Sequence, residues 1–61
     1  MDKLSTEDLK NSIESVKKKI SIDKYNISIG NNVRIFEQFL QLHRLTLYKL
    51  EEELSHRILI N

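Results

Sequence analysis

The stretch VRIFEQFLQLHRLTLYKLEEELSHRI, residues 33–58, decides how this chain folds. Val33, Phe36, Leu40, His43, Leu47, Leu50 and Leu54 follow one another at intervals of three and four residues, and Ile58 continues the series. Neither proline nor glycine interrupts them. That spacing returns every member to one face of a helix. It predicts one long amphipathic helix over about 31–58, starting between Ser28 and Asn32. The first half of its apolar face is wide, with Phe36, Leu40 and Leu47 at the centre and Ile35, Phe39 and Leu42 along one flank. Beyond Leu47 the face narrows to Leu50, Leu54 and Ile58. A wide face suits a helix with two neighbours, and a narrow one suits a coiled-coil seam. Leu45 and Tyr48 fall on the side expected to be wet.

Upstream, Leu9, Ile13, Val16 and Ile20 mark a second, narrower stripe. Ser5 is placed to cap this first helix, Asp8 occupies the third helical position as in a capping box, and Glu7 favours the positive end of the dipole. Leu4 and Leu9 hold the positions of a hydrophobic staple. The first helix is expected over about 6–20, or longer. Residues 21–32 admit two readings. As helix, Ile27 extends the stripe and Gly30 follows the helix end. As extended chain, Ile20, Ile22, Ile27 and Ile29 alternate around Asp23-Lys24-Tyr25-Asn26, which suits a small hairpin or a packed loop.

The fold class expected is therefore all-α: an antiparallel two-helix hairpin forming a single domain over residues 1–61 and assembling into a helical bundle by oligomerisation. Sixty-one residues bury only about 60% of the unfolded surface, and domains of this size lean on disulfides, metals or association. With no cysteine, disulfides and sulfur-rich zinc sites drop out. Association remains. A short first helix would leave the seam beyond Leu47 bare, whereas a long one would put Ile22, Tyr25 and Ile29 on its outer side. Both versions expose apolar surface.

Ten Lys and Arg against nine Asp and Glu leave a net charge of +1, short of the basic excess that phosphate neutralisation normally needs. No apolar run approaches the ~20 residues of a membrane span, and the N-terminus is too polar and acidic for a signal peptide. The expectation is a cytoplasmic, intracellular protein with no membrane contact.

His43 stands among leucines in the seam. A buried pH-sensitive or metal-binding histidine is one reading. We adopt the other, a core-edge histidine with a backbone or cross-helix hydrogen bond, because only a neutral or well-paired imidazole sits comfortably there. His56 with Glu52 or Glu53 has the spacing of two helix-borne metal ligands, but a dinuclear site needs more inward carboxylates; we read it as an exposed histidine at the negative end of a helix. Lys17, Lys18 and Lys19 are read as dipole-favoured charges near a helix end. With Arg34 and Arg44 from neighbouring subunits, they supply the alternative reading of nucleic-acid contact. There is no Cys nucleophile, serine elbow, glycine-rich phosphate loop or inward carboxylate pair. No catalytic residue, cofactor, metal or small-molecule substrate is expected.

Two families share short patterns with the chain. Ile27-Ser28-Ile29, Phe36-Glu37, Leu42, Lys49-Leu50-Glu51-Glu52 and Ile58 resemble the small subunit of bacterial exonuclease VII over about half the chain. That likeness implies a helical hairpin serving as a non-catalytic subunit on a nuclease. Phe39 stands where that family usually has glycine. Ile13-Glu14, Ile20, Ile35 and Tyr48 are similar in spacing to the small two-helix phosphatases of the sporulation phosphorelay. Their SQELD signature carries an active Asp; the corresponding Glu37-Gln38-Phe39-Leu40-Gln41 lacks it.

The function expected is that of a non-catalytic adaptor, regulator or accessory subunit. Its partners would be a second copy of itself, a larger protein, or both. Its interface would comprise Val33, Phe36, Leu40, His43, Leu47, Leu50, Leu54 and Ile58, and Leu9, Ile13, Val16 and Ile20 would pack helix 1.

Overall fold

A computed structural model describes residues 5–60, with side chains through Ile58; the Leu4 half of the expected staple lies outside them. Two helices, α1 (Thr6–Ser28) and α2 (Val33–Ile60), make up the fold. Asp23, late in α1, touches His43, early in α2. Ile13 and Glu14 share a groove with Glu51 and Leu54. The helices therefore run antiparallel, side by side, in a body of 44 × 22 × 15 Å.

The start of α1 follows from its cap. The Asp8 N–H donates to Ser5 Oγ at 3.0 Å, and the Leu9 N–H to the Ser5 carbonyl at 2.9 Å. Glu7 and Asp8 sit in the first turn, where the exposed N–H groups favour negative charge.

Residues 21–28 are helical, so of the two readings of 21–32 the extended one falls away. The helix is closed by a Schellman turn, in which the Asn31 N–H reaches the Asn26 carbonyl at 2.9 Å and the Gly30 N–H the Ile27 carbonyl at 3.1 Å. Gly30 has φ +75°, the left-handed conformation that glycine adopts without penalty. Where such turns usually add an apolar contact, this one uses an amide pair: Asn31 Nδ2 donates to Asn26 Oδ1 at 2.7 Å. Ser28 turns its hydroxyl onto the Tyr25 carbonyl at 2.7 Å. The serine that weakens the helix by propensity thus becomes part of its ending.

The second helix starts at Val33, one residue past the Ser28–Asn32 window expected for its start. Asn32 has φ +45°, outside the right-handed helix, and its carbonyl accepts the first α2 hydrogen bond, from Phe36 N–H at 3.1 Å. At 1.5 Å per residue the 23 residues of α1 reach about 35 Å, against about 42 Å for the 28 of α2. The bare seam beyond Leu47 required a short α1 and is not present; α1 accompanies α2 as far as Leu54. The long α1 has a second consequence. Lys17–Lys19 stand in mid-helix, and the last turn of α1 carries no basic residue, so the dipole does not account for them.

Candidate functional site

Leu9, Ile13, Val16 and Ile20 are buried, four aliphatic side chains on one line against α2. The stripe then takes its next three-residue step onto Asp23, which is 2% exposed, before reaching the half-buried Ile27. A charged residue thus occupies a core position. Burying a carboxylate without partners is expensive, and here the cost is met across the helix pair. His43 Nδ1 stands 2.6 Å from Asp23 Oδ2. A carboxylate can only accept, so Nδ1 carries the hydrogen and donates it. The imidazole is the half-open partner of the two, its side chain 26% exposed against 3% for Asp23. No buried side-chain nitrogen or oxygen among the described residues lacks a hydrogen-bond partner.

An aromatic ring lies beside the histidine of this pair and a second ring beside the first. Phe36 and Phe39 meet edge to face at 5.7 Å between centroids, and the Phe39 ring lies 6.1 Å from that of His43. The centre of the hairpin is a hydrogen-bonded polar pair with two phenylalanines beside it, and aliphatic packing continues on the α1 side.

The seam of α2 has a different character. Val33, Phe36, Leu40, His43, Leu47, Leu50 and Leu54 are all half-buried, and none is fully buried. Ile58, the last of the expected interface residues, is exposed. The flank residues Ile35, Phe39 and Leu42 remain 49%, 42% and 61% exposed, and Leu45 and Tyr48 also lie open. On α1, Ile22, Tyr25 and Ile29 are exposed, on the side away from the buried stripe.

The charged candidates do not converge. Lys17, Lys18 and Lys19 are consecutive, so their side chains leave α1 about 100° apart, and Lys17 is drawn to Glu14 at 3.8 Å. Arg34 and Arg44 line one shallow groove along α2 together with Glu37, whose acid offsets them. His56 is exposed; its neighbour Glu53 is engaged with Arg57 at 3.1 Å, and Glu52 lies 3.5 Å from the Tyr48 hydroxyl. Among the described residues no three His, Asp or Glu side chains are grouped to hold a metal. No described helix is long and apolar enough to cross a membrane.

Reading for apolar periodicity passed over Asp23. Its signal was available: counting three on from Ile20, or four back from Ile27, lands on residue 23, and the equivalent polar break in α2 is His43. Two polar interruptions in facing stripes were a prediction of a cross-helix pair.

No family model, curated protein or solved structure matches this chain. The two resemblances given above rest on their quoted residues alone.

Proposed function

We propose that this chain is a small non-catalytic interaction module, an adaptor, regulator or accessory subunit, that works by laying α2 against a partner helix. The observation that carries the reading is the imbalance between the two stripes. α2 buries the inner side chains of α1, yet α1 leaves Val33, Phe36, Leu40, Leu47, Leu50 and Leu54 on the inner face of α2 half-open and the flank beside it exposed. Apolar surface is worth about 25 cal/mol for each Å² withdrawn from water, so a second helix along α2 gains from what α1 does not cover. The central Asp23–His43 pair gives the hairpin a fixed register on which such a surface can be presented.

Sedimentation equilibrium of the purified chain at concentrations up to ~100 μM, with circular dichroism to confirm helix, tests self-association. A dimer or closed higher oligomer is the expected result. A helical monomer across the whole range overturns self-association.

A further inference from the structure

We propose that the half of α1 nearest the turn docks on an anionic lipid surface, placing Ile22, Tyr25 and Ile29 among the headgroups beside Lys17, Lys18 and Lys19. The contact uses the outer face of α1 and goes beyond the association reading above, which uses α2.

Lys18, Ile22, Tyr25 and Ile29 follow one another at four, three and four residues, which puts them on one line of α1 and its C-cap. That line lies opposite the buried stripe. Ile22, Tyr25 and Ile29 are 56%, 63% and 56% exposed. Traced toward the N-terminus, the same line reads Glu14, Asn11 and Glu7. The outer face is therefore apolar only in its turn-proximal half, and Lys18 marks the boundary. Lys17 and Lys19 leave the helix on either side of Lys18, and all three are exposed.

Charge says what covers this strip. Between Ser15 and Leu50 the chain carries seven Lys and Arg and two acids. One of those acids, Asp23, is 2% exposed and held by His43 at 2.6 Å, so it faces no ligand. The other, Glu37, belongs to α2. The remaining described acids gather at the far end of the hairpin, where Glu7 and Asp8 open α1 and Glu51, Glu52 and Glu53 lie near the end of α2. The net charge of +1 conceals this separation. Along its 44 Å axis the hairpin is polarised, with the positive half on the side of the turn. The one ion pair of the patch, Lys17 with Glu14 at 3.8 Å, stands in water with side chains 50% and 68% exposed, a setting in which such pairs hold weakly.

An anionic bilayer meets both halves of the pattern. Its headgroups attract the lysines, and its acyl boundary takes up the isoleucines, with tyrosine favoured at the level between. Lysine stems reach headgroups from the sides of a helix, and a charged surface engages them over an area, so they need not converge. Nucleic acid matches the charge, but its phosphates are held by cations and polar groups and give Ile22 and Ile29 nothing. The acid-rich half of a second copy likewise brings charge without an apolar strip on this face. The expectation of no membrane contact rested on the lack of a spanning run and a leader, and docking on a surface needs neither.

Cosedimentation of the full chain with lipid vesicles tests this. Wild type should bind vesicles of equimolar phosphatidylserine and phosphatidylcholine at low salt, leave them as salt is raised, and ignore vesicles of phosphatidylcholine alone. Lys18→Ala should weaken partitioning about fivefold, and Ile22→Ser should weaken it too; both sites are exposed, and circular dichroism should show the helices retained. The chain has no tryptophan, so Tyr25→Trp and Tyr48→Trp each supply a single reporter. Emission of the first should shift to the blue on the anionic vesicles, and that of the second, on α2, should not. No binding to the anionic vesicles, or equal binding to both kinds, overturns the inference. A shift at position 48 with none at 25 overturns the face. Retention on duplex DNA but not on anionic vesicles, at one ionic strength, overturns the lipid assignment in favour of nucleic acid.

Discussion

The inner stripes of the two helices face each other, obey the same three-and-four spacing, and end up in different environments. Leu9, Ile13, Val16 and Ile20 of α1 are buried, while Phe36, Leu40, Leu47 and Leu50 of α2 are only half-buried. The difference comes from width. A narrow line of aliphatic side chains is covered by the wider inner face of α2. The larger residues of that face meet in return a helix whose neighbouring positions are Ser12, Lys17 and Lys19, which offer little to cover them. Two helices in contact need not bury each other equally, and the wider face is where a further partner gains most.

The largest expected effects concern the one polar contact that joins the two stripes. His43→Ala leaves the Asp23 carboxylate buried and unpaired, and losing half of a buried pair costs about 3–5 kcal/mol. A domain of this size has only about 3–9 kcal/mol of stability in total, so the variant should be largely unfolded by circular dichroism at 25 °C. Asp23→Ala should cost less, about 1–3 kcal/mol, because the half-open imidazole it leaves can hydrogen-bond to water. Equal midpoints in urea for the two variants would show that burial does not differ between the partners. Replacing both by leucine should be neutral or stabilising by about 1–4 kcal/mol, and a double variant less stable than either single one would mean that the pair supplies more than register.

Next come the stripes themselves. Ile13→Ala removes a fully buried side chain and should cost about 2–5 kcal/mol. Leu50→Ala, at a half-buried site, should cost about half as much in the separated protomer, since it withdraws less surface from water. Denaturant titrations of both variants at low protein concentration compare the stripes with the least contribution of association. A larger loss at Leu50 than at Ile13 would reverse the contrast between them.

Smaller effects lie at the helix ends. Gly30→Ala meets open space and is opposed only by the left-handed backbone, which should cost about 1–2 kcal/mol. Ser5→Ala should cost about 1 kcal/mol through loss of the cap, and a thermal midpoint equal to that of wild type would show that Asp8 N–H does not depend on it.

Much of the hairpin was legible because it is written locally. The cap at Ser5 and the period of residues 33–58 are each decided by a few neighbouring residues. The conformation of residues 21–28 was not legible in that way. Ile22, Ser21, Ser28 and Ile29 favour other conformations by propensity, and helix wins there because Ile27 and Asp23 continue a stripe that α2 covers. Asp23 itself was hidden by its chemistry, since a carboxylate on an apolar stripe reads as a break until its partner is known.

By itself the sequence determined two amphipathic helices, their order and the apolar line of each, since these follow from the periodicity and backbone preferences of adjacent residues. Only the tertiary structure decided how far α1 extends, that Asp23 and His43 meet although 20 residues apart, and that burial falls on α1 while α2 stays half-open. Those outcomes depend on which side chains oppose one another across the helix pair, a relation between distant residues that no local spacing contains.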